Sequence, residues 1–159
     1  MRAFFSCIVL VVFLVGCKKT NVNDSVVIDK AIELSLVDAE GNDLLNPQHD
    51  YAIDPADIKI FYRIDGEWQE VYDPTKDSPR NFFIRQHETG YRIHIFLNSD
   101  EGEEFPETAI QWNEFSTDNV KAKFRRSSSL LVIDEVWLND EAVWSSDDRK
   151  ELHLTLIKD

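Results

Sequence analysis

The sequence predicts an all-β chain, folded as an antiparallel β-sandwich. Three observations lead there. Apolar and polar residues alternate with period two in one short run after another, and turn-forming residues separate the runs at short intervals. No window sustains the 3.6-residue period that a long amphipathic helix requires.

The first segment stands outside this pattern. Arg2 is the only charge before Cys17, and Ala3 to Gly16 is an almost unbroken apolar run of 14 residues. A membrane-spanning helix needs about 20, so the run has the length of a signal h-region. Leu14-Val15-Gly16-Cys17, followed by Lys18-Lys19-Thr20-Asn21, resembles the lipobox of bacterial lipoproteins, in which the cysteine thiol is diacylated before cleavage ahead of it. The resemblance implies that residues 1–16 are a cleaved signal peptide and that Cys17 is the lipid attachment site. Each buried methylene contributes about 0.8 kcal/mol and one chain holds only marginally, so two or three acyl chains make release negligible. Residues 17–25 then form the lipidated Cys and a polar, aperiodic tether, and residues 26–159 form a single β-sandwich domain.

Within that domain the elements follow in order. Ile32, Leu34 and Leu36 alternate with Glu33 and Ser35, and Asp38-Ala39-Glu40-Gly41 turns the chain. Asn46-Pro47 closes the next short segment. Ile58, Ile60, Tyr62 and Ile64 alternate with Lys59, Phe61 and Arg63. Asp65-Gly66 is a hairpin signal, with Glu67 to Tyr72 as the return strand. Asn81–Gln86 and Tyr91–Leu97 flank Thr89-Gly90. The acidic segment Ser99–Glu104 reads as a loop, and residues 106–113 fit a short helix or a strand equally. Val120–Arg126, Leu130–Leu138, Glu141–Trp144 and Leu152–Lys158 complete the set, with Asn139-Asp140 as a two-residue turn.

Charge and cysteine usage narrow the function classes. Without residues 1–16 the chain keeps 143 residues, with 16 basic side chains against 30 acidic ones, a net charge of −14. Nucleic acid is excluded as a partner, because phosphate binding needs clustered Lys and Arg. Cys7 leaves with the leader and Cys17 is acylated, so no intramolecular disulfide is available to the core.

The chain is similar to small Bacteroidetes-type lipoproteins of no established activity. The likeness lies in the lipobox, Gly41-Asn42-Asp43-Leu44-Leu45-Asn46-Pro47, Ile110-Gln111-Trp112-Asn113, and Val136-Trp137-Leu138-Asn139 with Val143-Trp144. It implies a β-sandwich, often immunoglobulin-like, in the cell envelope at the outer membrane, with no activity to carry over. Surface-exported members have acidic residues just after the cysteine, and Lys18-Lys19-Thr20-Asn21 departs from that, which leaves periplasmic face and cell surface both open.

Candidate sites are few. The chain has no Gly-x-Ser-x-Gly elbow, no phosphate-binding glycine loop and no His-Glu-x-x-His motif, and no motif implies a cofactor. His49, His87, His94 and His153 are far apart, and the periodicity turns His94 and His153 outward to solvent. A His pair on adjacent strands could hold a metal, but the pattern does not give strand order. Asp100-Glu101-Gly102-Glu103-Glu104 has oxygen ligands for calcium without the spacing of an EF-hand loop. Lys121, Lys123 and Arg125 form a cationic stripe that neighbouring carboxylates are expected to pair. Trp112, Trp137 and Trp144 sit in apolar patterns and are expected in the core.

The Asp65-Gly66 hairpin offers the most suggestive face. A two-residue loop sets Arg63 opposite Trp68, Phe61 opposite Glu70 and Lys59 opposite Tyr72, with Ile60, Ile64 and Val71 turned to the core. Phe61, Arg63, Trp68 and Tyr72 then present flat aromatics beside hydrogen-bonding groups, the mixture that sugars use. The expectation is a non-enzymatic binding or adaptor module of the envelope, attached to the membrane through Cys17, with a protein or glycan partner. The alternative is a periplasmic structural or envelope-maintenance lipoprotein without a small ligand.

Overall fold

The computed structural model describes residues 25–158. The expected leader 1–16, the expected lipid attachment site Cys17 and the expected tether as far as residue 24 lie outside the described residues. Two sheets face one another across a single apolar core. The first contains β1 (Val27–Asp29), β3 (Lys59–Ile64), β4 (Glu67–Glu70), β7 (Glu107–Gln111), β8 (Thr117–Ser127), β9 (Leu130–Leu138) and β10 (Glu141–Ser145). Its order is β1-β9-β8-β7-β3-β4, with β10 also paired to β9. The second runs β11-β2-β6-β5, from β2 (Ala31–Val37), β5 (Phe82–His87), β6 (Gly90–Phe96) and β11 (His153–Ile157).

Alternation decides which face each strand buries. Ile32, Leu34 and Leu36 of β2 meet Ile93 and Ile95 of β6 and Leu156 of β11 on the inner side of the four-stranded sheet. Ile60, Ile110, Val120, Ala122 and Val136 close the core from the seven-stranded sheet. Two polar ties cross between the layers. The Tyr62 hydroxyl donates to the Phe96 carbonyl at 2.6 Å and accepts from Asn81 Nδ2 at 2.9 Å, and burial pushes its pKa up to about 12. Asp118 on β8 accepts from Trp112 Nε1 at 2.6 Å and pairs with Lys158 just beyond β11.

The sheets are mixed, which corrects the antiparallel expectation. β1 runs parallel to β9, and β11 runs parallel to β2. Both parallel pairs involve terminal strands laid onto a sheet from far away in sequence, and an isolated period-two run carries no direction. Residues 107–111 are a strand, and the only helical element among the described residues is a 3-10 turn at Ser146–Asp148. No helix among them is long and apolar enough to cross a membrane.

Candidate functional site

The β3–β4 hairpin closes as its sequence requires. Asp65 and Gly66 both take positive φ, 50° and 83°, the geometry of a two-residue turn that matches strand twist. The register sets Arg63 against Trp68 and Phe61 against Glu70. Ile60 is fully buried, Val71 packs on the core, and Ile64 is half-buried at the hairpin end. The Val71 amide donates to the Ile60 carbonyl at 2.8 Å, one step past the Phe61–Glu70 pair that ends the β3–β4 ladder, and Lys59 lies 4.0 Å from Glu70. Tyr72 is exposed and lines a separate depression with Pro55, Pro79 and Phe82.

Strand order extends the hairpin face into a row across the outer side of the sheet. Trp68 faces Arg63, whose Nη1 donates to Glu107 Oε1 at 2.9 Å. Glu107 faces Lys121 on β8, and Lys121 faces Trp137 on β9. Arg63 also stacks over the Trp68 ring at 5.9 Å from its centroid. Phe105 meets Trp137 edge to face at 5.4 Å. Trp137 therefore lies on the outer face rather than in the core, because its neighbours Val136 and Leu138 take the inward positions. Trp112 is fully buried and Trp144 packs against the core.

A buried side chain opens this row into a cleft. Asn98, 3% exposed, donates from Nδ2 to the carbonyls of Arg63 at 3.0 Å and Glu107 at 3.3 Å, one on each strand. The β3–β7 register ends one residue earlier, at Tyr62 and Thr108. Where two backbones would bond each other, an amide stands between them. A cleft of about 290 Å³ lies there, lined by Arg63, Gly66, Glu103, Phe105 and Glu107. Its size is near the low end of ligand pockets, about 300 to 1,000 Å³. Trp68 and Phe105 are 44% and 39% exposed, so both rings are open to a ligand.

The acidic loop forms one wall. Arg126 donates to the carbonyls of Ser99 and Asp100, which fastens the loop to β8, and Glu103 reaches the cleft. Among the described residues its carboxylates do not converge as a metal-ligand group. The cationic stripe is paired as expected: Lys121 with Asp140, Lys123 with Glu135 at 3.0 Å and Arg125 with Asp134 at 3.1 Å. Hydrogen bonding to these carboxylates holds both lysines above their ordinary pKa.

The histidines depart from expectation. His94 does lie on the outer face of its strand, but it is only 7% exposed, because Phe83 on the neighbouring strand stacks on it at 4.6 Å. Burial lowers its pKa, and Arg85, His87 and Arg92 add to that against the pull of Glu33. His153 is half-buried, with Nε2 at 2.9 Å from Ser35 Oγ. That Ser–His contact sits mid-strand on β2, away from the tight turn a nucleophile elbow needs.

Sequence reasoning missed Phe105, Glu107 and Asn98. Glu107 fell in the segment that fitted helix or strand equally, and Asn98 gave no local pattern at all. No protein-family model, curated protein or solved structure matches this chain.

Proposed function

We propose that this chain is a non-enzymatic binding module of the bacterial cell envelope, anchored through acyl chains on Cys17, whose seven-stranded sheet takes a neutral saccharide on its outer face. The lipobox supports the anchor and the envelope location. The immunoglobulin-like assignment rests on the lipoprotein resemblance alone. The observation that carries the binding reading is the cleft at Arg63, Glu103, Phe105 and Glu107, flanked by Trp68.

The chemistry favours a sugar ring. A pyranose presents C–H groups on its faces and hydroxyls around its rim. Trp68 and Phe105 offer flat apolar surfaces for the faces, and exposed aromatics of this kind mark interaction sites. Glu103 and Glu107 accept from hydroxyls while Arg63 donates to them. Two carboxylates in the wall, on a strongly acidic chain, oppose an anionic sugar. The backbone around Arg63 and Glu107 is fixed by Asn98, so little ordering accompanies binding.

The test is glycan-array binding by the full lipidated chain carried in detergent micelles. Wild type is expected to bind a restricted set of neutral glycans, and Trp68→Ala to lose up to about tenfold, in line with aromatic contact energies of about 0.5 to 1.5 kcal/mol. Equal binding by the two proteins, or none by wild type, contradicts the saccharide reading.

A further inference from the structure

The opposite face of the molecule holds a second convergence of side chains. Glu33 on β2, His87 at the end of β5 and His94 on β6 bring one ligand atom each to within 4.8 Å of one another. His94 Nε2 lies 3.2 Å from Glu33 Oε1, and His87 Nε2 lies 4.0 Å from Glu33 Oε2. A zinc-type ion with bonds of about 2.0 to 2.1 Å holds tetrahedral ligands about 3.3 Å apart. The His94 nitrogen is at that spacing from one Glu33 oxygen, the His87 nitrogen is within about 1 Å of it from the other, and a small side-chain adjustment brings the set together.

His94 Nε2 is the second observation. It is a buried nitrogen with no hydrogen-bond partner among the described residues, on a side chain only 9% exposed. It faces a carboxylate oxygen at contact distance without the angle that a hydrogen bond requires. An orphaned buried polar atom costs about 1 to 3 kcal/mol, and an ion between the imidazole and the carboxylate removes that cost. Phe83, stacked within 8° of the ring plane, fixes the direction of the lone pair.

The two arginines at the cluster do not exclude a cation. Arg92 Nη1 donates to Glu33 Oε2 at 2.8 Å and Arg85 Nη2 donates to Oε1 at 3.2 Å. A carboxylate has about four lone-pair sites, so each oxygen can hold a guanidinium on one side and an ion on the other. Carboxylate ligands are held in this way by outer hydrogen bonds. Arg92 shares its charge with Glu151 at 3.2 Å, and the surrounding chain is strongly acidic.

From this geometry we infer that Glu33, His87 and His94 form a binding site for a divalent zinc-type cation, with a fourth position open to solvent. Two imidazoles and one carboxylate are the donor set such ions favour. His87 is about one-third exposed and stands on the solvent side, so an ion can reach the site without unfolding. Three strands, β2, β5 and β6, are pinned together when it is bound.

The experiment uses the full lipidated chain in detergent, stripped of metal and titrated with Zn²⁺ alone, followed by calorimetry and by metal analysis after dialysis. The expected result is one Zn²⁺ per chain, with affinity falling at least tenfold in His87→Gln and in Glu33→Gln. His49→Gln, outside the cluster, should bind as wild type. His87 is partly exposed, so His87→Gln is expected to fold, and its melting temperature checks this. Cobalt substituted at the site should give the intense visible bands of tetrahedral coordination, and lose them in His87→Gln. No saturable Zn²⁺ uptake by wild type, or undiminished uptake by a folded His87→Gln, overturns the inference.

Discussion

Asp118 ties the two layers of this fold together through Trp112 on one side and Lys158 on the other. Its carboxylate is 8% exposed and is met by Trp112, Asn139 and Lys158. Burial pushes its pKa up, but the donors from Asn139, Lys158 and Trp112 outweigh it and hold the group below its ordinary value of 3.8. A carboxyl depressed in the folded state contributes stability above its unfolded pKa and loses it as pH falls through the folded one. Asp118→Asn is therefore expected to cost about 3 kcal/mol at neutral pH, because Lys158 is left half-enclosed without its partner. In urea melts the gap between wild type and variant should shrink below about pH 4. A gap that is unchanged by pH contradicts the charge account. At this scale the sequence was a partial guide. Trp112 sat in an apolar pattern and was expected in the core, but its partner six residues away looked like any other acidic residue.

The elements were legible where local chemistry decides them. Asp65-Gly66 and Asn139-Asp140 both form two-residue turns with positive φ, and each sets the register of its hairpin. Parallel pairing was not legible, because β1 and β11 find partners far off in sequence. β1 also shows no alternation to read, since Val27, Ile28 and Asp29 are all exposed. Two glycines separate local from tertiary constraint. Gly66, at φ 83°, has open space where a Cβ would stand. Gly90, at φ 129°, would put a Cβ 2.8 Å from Asp43 Oδ2, which itself accepts from the Tyr91 amide at 2.7 Å. Gly66→Ala should cost about 1 to 2 kcal/mol from backbone strain alone. Gly90→Ala should cost more, because its φ lies further from any region a side chain tolerates and the Asp43 anchor is displaced, and thermal melts of the two variants in parallel check this. Equal melting temperatures would contradict the added cost.

The whole molecule presents two outer faces with different chemistry, and neither was readable in full from the chain alone. The aromatic–charged hairpin was visible because its residues lie within a few positions of one another. Its extension through Glu107, Lys121 and Trp137 depends on β7 lying beside β3, and β9 beside β8. The imidazole cluster joins residues 33, 87 and 94, which only the order β2-β6-β5 brings together. Strand order is set by how the inner apolar stripes close one core, a property of the assembled sheets and not of any segment.

The proposed function has the hairpin face meeting a neutral saccharide while Cys17 holds the chain at the membrane. Its most direct test is photocross-linking in living cells, with a photoreactive phenylalanine analogue at Phe61 and, as control, at Phe115 in an exposed end loop. A discrete glycan-bearing adduct is expected from position 61, weak or none from position 115, and the adduct should be lost in Cys17→Ala, where the unlipidated precursor accumulates. No adduct from position 61, or the same adduct from both positions, contradicts it.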